Sequence, residues 1–283
     1  MTARLRIKHL SHYRYADVIR ASFNELRLTP LATPWQNPLE FVLRVEEATW
    51  QSSYADYWGT QVRVVEVHAP HRDLTIQATS LVEVDGSRLP AVHVETTWDQ
   101  VRSDDVLDAW GEFLAQTDFT RPDEELGFLA DEIAATSNSP YDAARRLSTA
   151  IHSAMEYLPG STGVHTAGRE AWESRAGVCQ DYAHLLVGAL RHIGIPARYV
   201  SGYLHPTAEP EIGATATAES HAWVELWLTD WAGHDPTSDT AVGERHVLVG
   251  RGRDYSDVAP IKGIVAGSAK SEMTVSVEIT RLA

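Results

Sequence analysis

The spacing of apolar residues changes twice along this chain, and few architectures accommodate such a pattern. Through the first 95 residues the alternation has period two: Phe41, Leu43 and Val45 alternate with Val42, Arg44 and Glu46, and Leu74, Ile76 and Ala78 with Thr75, Gln77 and Thr79. Short strands of this kind, with hairpin turns expected at Trp58-Gly-Thr60 and Asp85-Gly-Ser87, predict an antiparallel β-sandwich. Residues 87–103 read as a connection. From Asp104 the period becomes helical, first in Val106, Leu107, Trp110, Phe113 and Leu114, then in Leu126, Leu129, Ile133 and Ala134. A third helix opens with Ser139 as N-cap and Pro140 as first helical residue. A fourth follows Cys179 and stops before Gly194-Ile-Pro196. Period two then returns in Ala197–Leu204, His246–Val249 and Met273–Thr280. The fold class expected is α+β, with a β-rich domain over 1–95 and a second domain over 96–283 that includes the C-terminal strands.

The chain has one cysteine, so it forms no internal disulfide. A lone cysteine is ordinarily a buried small hydrophobe. Cys179, however, stands where the loop Arg175-Ala-Gly-Val gives way to the fourth helix, with Gln180 and Asp181 directly after it. At a helix start the unsatisfied N–H groups and the positive dipole end favour a thiolate by about 0.3–1 kcal/mol, and by about 2 when partly buried. A charged partner must supply the rest. Forty-two residues on lies His221, in the strand-like run His221-Ala-Trp-Val-Glu-Leu-Trp-Leu228, and fourteen further lies Asp235. A turn between the two would set imidazole and carboxylate side by side on antiparallel strands. Cys179, His221 and Asp235 then make a nucleophile, a base and an orienting carboxylate.

Neighbouring groups compete for these roles. Glu225 lies on the same strand face as His221 and rivals Asp235, which is preferred. His234 should point away from Asp235 in an extended segment, and His184 lies about 140° around the helix from Cys179, which makes it a packing residue. Asp181 is placed to cap the helix start.

Gly-Val-Cys179-Gln-Asp-Tyr-Ala-His-Leu, Gly194-Ile-Pro-Ala-Arg-Tyr-Val-Ser-Gly-Tyr203, His221-Ala-Trp-Val-Glu and His234-Asp-Pro-Thr together resemble the core of the bacterial transglutaminase-like proteins over about residues 140–240. Tyr13-Arg-Tyr15, Leu26-Arg-Leu-Thr-Pro30 and Trp58-Gly-Thr60 are similar to the β-rich region that often precedes that core. The resemblance implies a papain-like, transglutaminase-like catalytic fold and the order Cys, His, Asp. An oxyanion hole is also required. The Cys179 N–H is one donor, and the resemblance makes Tyr157 a candidate for the second, with Gln180 and Trp172 as rivals. Trp223, Arg253 and Tyr255 are candidates for substrate contact.

A thiolate, base and orienting carboxylate perform acyl transfer on an amide, with water, an amine or another thiol as acceptor. Having Gln180 where the animal cross-linkers have tryptophan, and no calcium loop of EF-hand type, the chain is expected to hydrolyse a peptide or isopeptide bond. Glutamine-amine cross-linking and a catalytically silent peptide-binding module are the alternatives. The resemblance also implies a partner enzyme of the ATP-grasp-like ligase class, making the amide that this chain cuts.

Charge narrows the partners. With 24 Lys and Arg against 39 Asp and Glu the formal net charge is −15, which disfavours nucleic acid and anionic membrane as general partners and leaves a peptide or protein substrate. The N-terminus, Met1-Thr-Ala-Arg-Leu-Arg-Ile-Lys-His-Leu10, shows no signal-peptide pattern, so a cytoplasmic location is expected. No cofactor and no metal are expected: His-Glu-x-x-His is absent, and His68-Ala-Pro-His71 is an isolated pair.

Overall fold

A computed structural model describes residues 2–267 and 270–283. Its first half is a sandwich of two antiparallel sheets. One sheet has the strand order 215–218, 271–281, 2–19, 71–85 and 36–45, and the other 261–265, 22–26, 61–67 and 50–55. The strand Thr2–Ile19 shows why the alternation matters: Ala3, Leu5 and Ile7 are buried while Thr2, Arg4, Arg6 and Lys8 are not. Its two ends serve different cores. Tyr15 and Ile19 pack inside the sandwich with Leu26, Val65, Val67 and Ile76. Leu5 and Ile7 pack with Tyr203, Val247 and Val249 of the second half.

The second half sets four helices, Glu124–Thr136, Pro140–Ala154, Gly168–Ser174 and Cys179–His192, against a five-stranded antiparallel sheet. That sheet runs in the order 240–241, 231–235, 220–227, 197–204, 246–252. Ser139 caps the second of these helices, its hydroxyl accepting the Asp142 N–H at 3.2 Å. The helix Cys179–His192 is the centre of the core, with every residue from Gln180 to Arg191 buried. Beyond it Gly194 adopts φ +84°, a left-handed turn that sends the chain into the strand Ala197–Leu204.

Two expectations are corrected. The strand Ser271–Arg281 does not belong to the second half, where it was expected; it pairs with Thr2–Ile19 in a continuous register from Leu5 opposite Arg281 to Tyr15 opposite Ser271. Its alternation identified a strand but carried no information about which edge it joins, since pairing is a long-range choice. Asp85-Gly-Ser87 makes no hairpin: Asp85 caps a short 3-10 turn, Gly86–Arg88, that leads into the connection between the halves. At Trp58-Gly-Thr60 the hairpin is present, joining Trp50–Ala55 to Gln61–Val67 with Gly59 at φ +78°.

The halves are also joined by a polar clamp. Gln36, buried in the first half, donates from Nε2 to the carbonyls of Leu31 and Leu248 at 2.7 and 2.8 Å, and its Oε1 accepts the Leu248 N–H at 2.7 Å. Replacing Gln36 with leucine strands buried backbone groups with no water to replace the lost partners. The expected cost is about 1–3 kcal/mol in urea denaturation, and an unchanged midpoint would show that the clamp contributes nothing.

Candidate active site

Cys179 owes its position to the loop before it. Arg175, at φ +54°, turns the chain, and Val178 is extended, so the helix begins abruptly at the cysteine. Asp181 folds back to cap this start, its Oδ2 accepting the Val178 N–H at 2.8 Å and the Thr162 hydroxyl at 2.6 Å. Gly177 makes room for it, since a Cβ there would lie 2.8 Å from the Asp181 side chain. The N–H groups of Cys179 and Gln180 are left without acceptors among the described residues, which is the donor pair an oxyanion needs. The thiol is partly exposed, with Sγ 3.9 Å from the Ser220 carbonyl.

His221 stands on the central strand Ser220–Trp227, and Asp235 ends the neighbouring antiparallel strand Trp231–Asp235. His221 Nε2 donates to Asp235 Oδ2 at 2.8 Å, leaving Nδ1 as the nitrogen that can meet the thiol. Burial opposes charge on this imidazole, but hydrogen bonds to Asp235 and Cys179 and the charges there outweigh it and raise its pKa to about 10. Asp235 is completely buried. Burial would push its carboxyl up, yet hydrogen bonds from His221 and His246 hold it far below the ordinary carboxylate range. Its Oδ1 accepts the Thr237 N–H at 3.0 Å, and Oδ2 also accepts the Ser238 hydroxyl at 3.1 Å and His246 Nε2 at 3.4 Å.

Trp223 lies under this group. Its ring is stacked on His221 at 6.3 Å and meets His246 edge-on at 5.2 Å. It overlies Gly202, where a Cβ would come within 2.6 Å of the indole. At 2% exposure Trp223 supports the histidines from below, which corrects its place among the substrate-contact candidates: the strand is buried on both faces, and the ring packs with Val200 and Leu248 on the face away from the helices. Arg253 keeps an exposed side chain whose guanidinium is paired with Asp257 at 2.9 Å and lies over Trp58. Tyr255 donates its N–H to His184, and its side chain packs against the helical core. Tyr157 sits on a two-residue strand whose partner across the bridge is Gly177, and its phenol is half exposed. Burial and the nearby charges of Cys179 and Glu219 raise its pKa to about 12, so it remains a proton donor at neutral pH. The Gln180 side chain is buried in the first turn of the helix.

The rivals are occupied elsewhere. Glu225 is clasped by Arg198 and Arg251 at 2.6 and 2.7 Å. His234 bonds Ser148 and Asp239, and His184 is fully buried between Phe119 and Tyr199. His246, Thr237 and Ser238 were not legible as site residues. Thr237 and Ser238 follow Asp235 in a turn, a local signal that could have marked them. His246, one of 13 histidines, carried none. His221, Asp235 and His246 set ligand atoms within 4.8 Å of one another, as a metal site would. Their donors and acceptors are nevertheless matched without an ion, since Gly243 N–H occupies His246 Nδ1 and leaves the proton on Nε2.

Comparison with known proteins agrees with this architecture. The transglutaminase-like superfamily model matches residues 128–236, and that of the bacterial transglutaminase-like N-terminal region matches 5–83. An uncharacterised protein of Mycobacterium leprae is 41% identical over 280 residues, covering 99% of both chains. One of Mycobacterium tuberculosis is 34% identical over 298 residues, covering 98% of this chain and 93% of its own. A protein-glutamine gamma-glutamyltransferase of Pseudomonas aeruginosa is 32% identical over 120 residues, which is 40% of this chain and 18% of that one. The solved structure of a candidate cysteine protease from Cytophaga hutchinsonii superposes with a TM-score of 0.79 at 22% identity, covering 100% of this chain and 92% of that one, and so has the same fold.

The paired imidazole has a measurable consequence. Its folded value of about 10 exceeds the ordinary 6.5, so the stability its proton contributes is complete below about 6.5 and is lost as pH rises through about 10. The difference in urea stability between the wild type and His221→Gln should shrink across that window. Ring-nitrogen NMR should place the His221 titration near its upper end, and a titration at or below 6.5 would contradict the hydrogen-bonded pair.

Proposed function

Because the chain belongs to the transglutaminase-like superfamily, we propose that it is a cysteine-dependent enzyme that hydrolyses a peptide or isopeptide bond through Cys179, His221 and Asp235. The observation that carries this reading is the 2.8 Å bond from His221 Nε2 to a buried Asp235, which turns the free ring nitrogen toward the one thiol of the chain. In the proposed reaction the Cys179 sulfur attacks the amide carbon, and the negative charge passes to the carbonyl oxygen. The free N–H groups at the helix start, with the Tyr157 phenol as a further donor, are available to that oxygen. His221, holding the proton, gives it to the departing amine, which leaves a thioester on Cys179. The same ring then takes a proton from water as water attacks the thioester, and the acid is released with the thiolate restored.

Amine in place of water is the second reading, favoured by the 32% identity to the Pseudomonas glutamyltransferase over 120 residues. The chemistry up to the thioester is common to both. Among the described residues no helix is long and apolar enough to cross a membrane, and the net charge of −15 supports a peptide or protein substrate over nucleic acid. Cytoplasmic location and an amide-forming partner of the ATP-grasp-like class complete the proposal.

With a single cysteine, alkylation by iodoacetamide reports Cys179 alone. His221→Ala should slow that labelling by at least about tenfold at neutral pH. Unchanged kinetics would favour the silent binding module. Peptide, isopeptide and glutamine-plus-amine substrates, compared by mass spectrometry with Cys179→Ala as the blank, should yield free acid rather than a new amide. An amine adduct as the main product would select the second reading.

A further inference from the structure

Three donors converge on Oδ2 of Asp235: His221 at 2.8 Å, the Ser238 hydroxyl at 3.1 Å and His246 at 3.4 Å. They are not equivalent. Ser238 belongs to the turn that follows Asp235, and its hydroxyl hydrogen rotates freely, so it follows the carboxylate rather than fixing it. It also exchanges a hydrogen bond with Thr240 at 2.8 Å. His246 is a rigid ring that arrives from outside the matched core of residues 128–236. It opens the strand His246–Gly252, which is separated from the His221 strand by Ala197–Leu204.

The ring is held on every side. The Gly243 N–H donates to Nδ1 at 3.2 Å, which makes that nitrogen the acceptor and assigns the proton to Nε2, the atom facing Asp235. Trp223 meets the ring edge-on at 5.2 Å, and the residue is 5% exposed. Two residues along, Leu248 is bound through its backbone by Gln36 and Leu31 of the first half, at 2.7–3.0 Å. At 3.4 Å the bond to Asp235 is the longest of the set, so the ring's fixed position rather than the strength of this one bond is what the carboxylate meets.

We propose that His246 is a positioning residue of the site: a neutral imidazole whose Nε2–H fixes the plane of the Asp235 carboxylate and, through it, the His221 ring that faces Cys179. The inference rests on the reading of Cys179, His221 and Asp235 as the reactive group. It also gives the β-rich half a part in the chemistry, because the strand that delivers His246 is clamped by Gln36.

Two polar variants of the full chain separate position from mere folding. In His246→Gln the amide nitrogen reaches about where Nε2 lies, so the donor to Asp235 is kept; in His246→Asn it reaches only the place of Nδ1. Alkylation of Cys179 is measured with neutral iodoacetamide and with anionic iodoacetate, whose relative rate rises when an imidazolium stands beside the sulfur. Ring-nitrogen NMR follows the proton shared by His221 and Asp235. His246→Asn should slow alkylation about tenfold, lower the iodoacetate preference and lose the shared-proton resonance, whereas His246→Gln should stay within about threefold of the wild type. The inference is overturned if His246→Asn keeps the wild-type rate, preference and resonance, or if both variants lose them equally. A wild-type thiol no more reactive than free cysteine would instead sink the triad reading, and the resonance in the two variants would still decide whether His246 positions Asp235.

Discussion

A carboxylate with no exposure to solvent sits where the strands bearing His221 and His246 come together, and its charge constrains how they are arranged. Moving an ion of this size from water into a protein interior costs several kcal/mol unless donors replace the lost hydration. Asp235 receives four, from His221, Thr237, Ser238 and His246. The Thr237 and Ser238 donors are local. The histidines come from two separate strands, so those strands can sit correctly only when both rings reach the same oxygen. A shift of either would leave a buried charge short of a partner, which is strongly destabilising. The orientation of His221 toward Cys179 follows from this requirement.

The β-rich half is part of the same mounting. Leu5 and Ile7 from the first strand pack with Val247 and Val249 from the edge strand 246–252 of the second half's sheet. Between those valines, Leu248 is bound through its backbone by Gln36 and Leu31. The C-terminal strand Ser271–Arg281 returns to pair with the N-terminal one, so the chain closes on itself and each half supplies part of the other's core. Small residues make the close approaches possible. Gly202 admits the Trp223 ring beneath the histidines, and Gly188 lets the central helix approach the Thr120 carbonyl, which a Cβ would meet at 1.8 Å.

Much of this was legible before the coordinates. Ser139 and Pro140 located a helix start, the alternation of Leu74, Ile76 and Ala78 with Thr75, Gln77 and Thr79 is that of a strand with one buried face, and Cys179 followed by Gln180 and Asp181 marked an end-of-helix polar site. The order of Cys179, His221 and Asp235, with a turn between the latter two, led to the pair that lies 2.8 Å apart. One residue was misjudged, because its surroundings come from distant parts of the chain. Trp223 is an aromatic beside a histidine whichever way its ring points, and only the sheet puts it underneath.

The sequence by itself determined the local elements, the lone thiol at a helix start and the candidates for nucleophile, base and orienting carboxylate. Periodicity, caps and glycines act over a few residues, so their signal survives in one dimension. The tertiary structure alone decided that Ser271–Arg281 completes the first sheet, that Glu225 is consumed by Arg198 and Arg251, and that His246 reaches Asp235 from across another strand. Each of these depends on which distant groups leave water together and satisfy one another's hydrogen bonds. That energy exists only after the chain has closed, and no spacing along it records the choice.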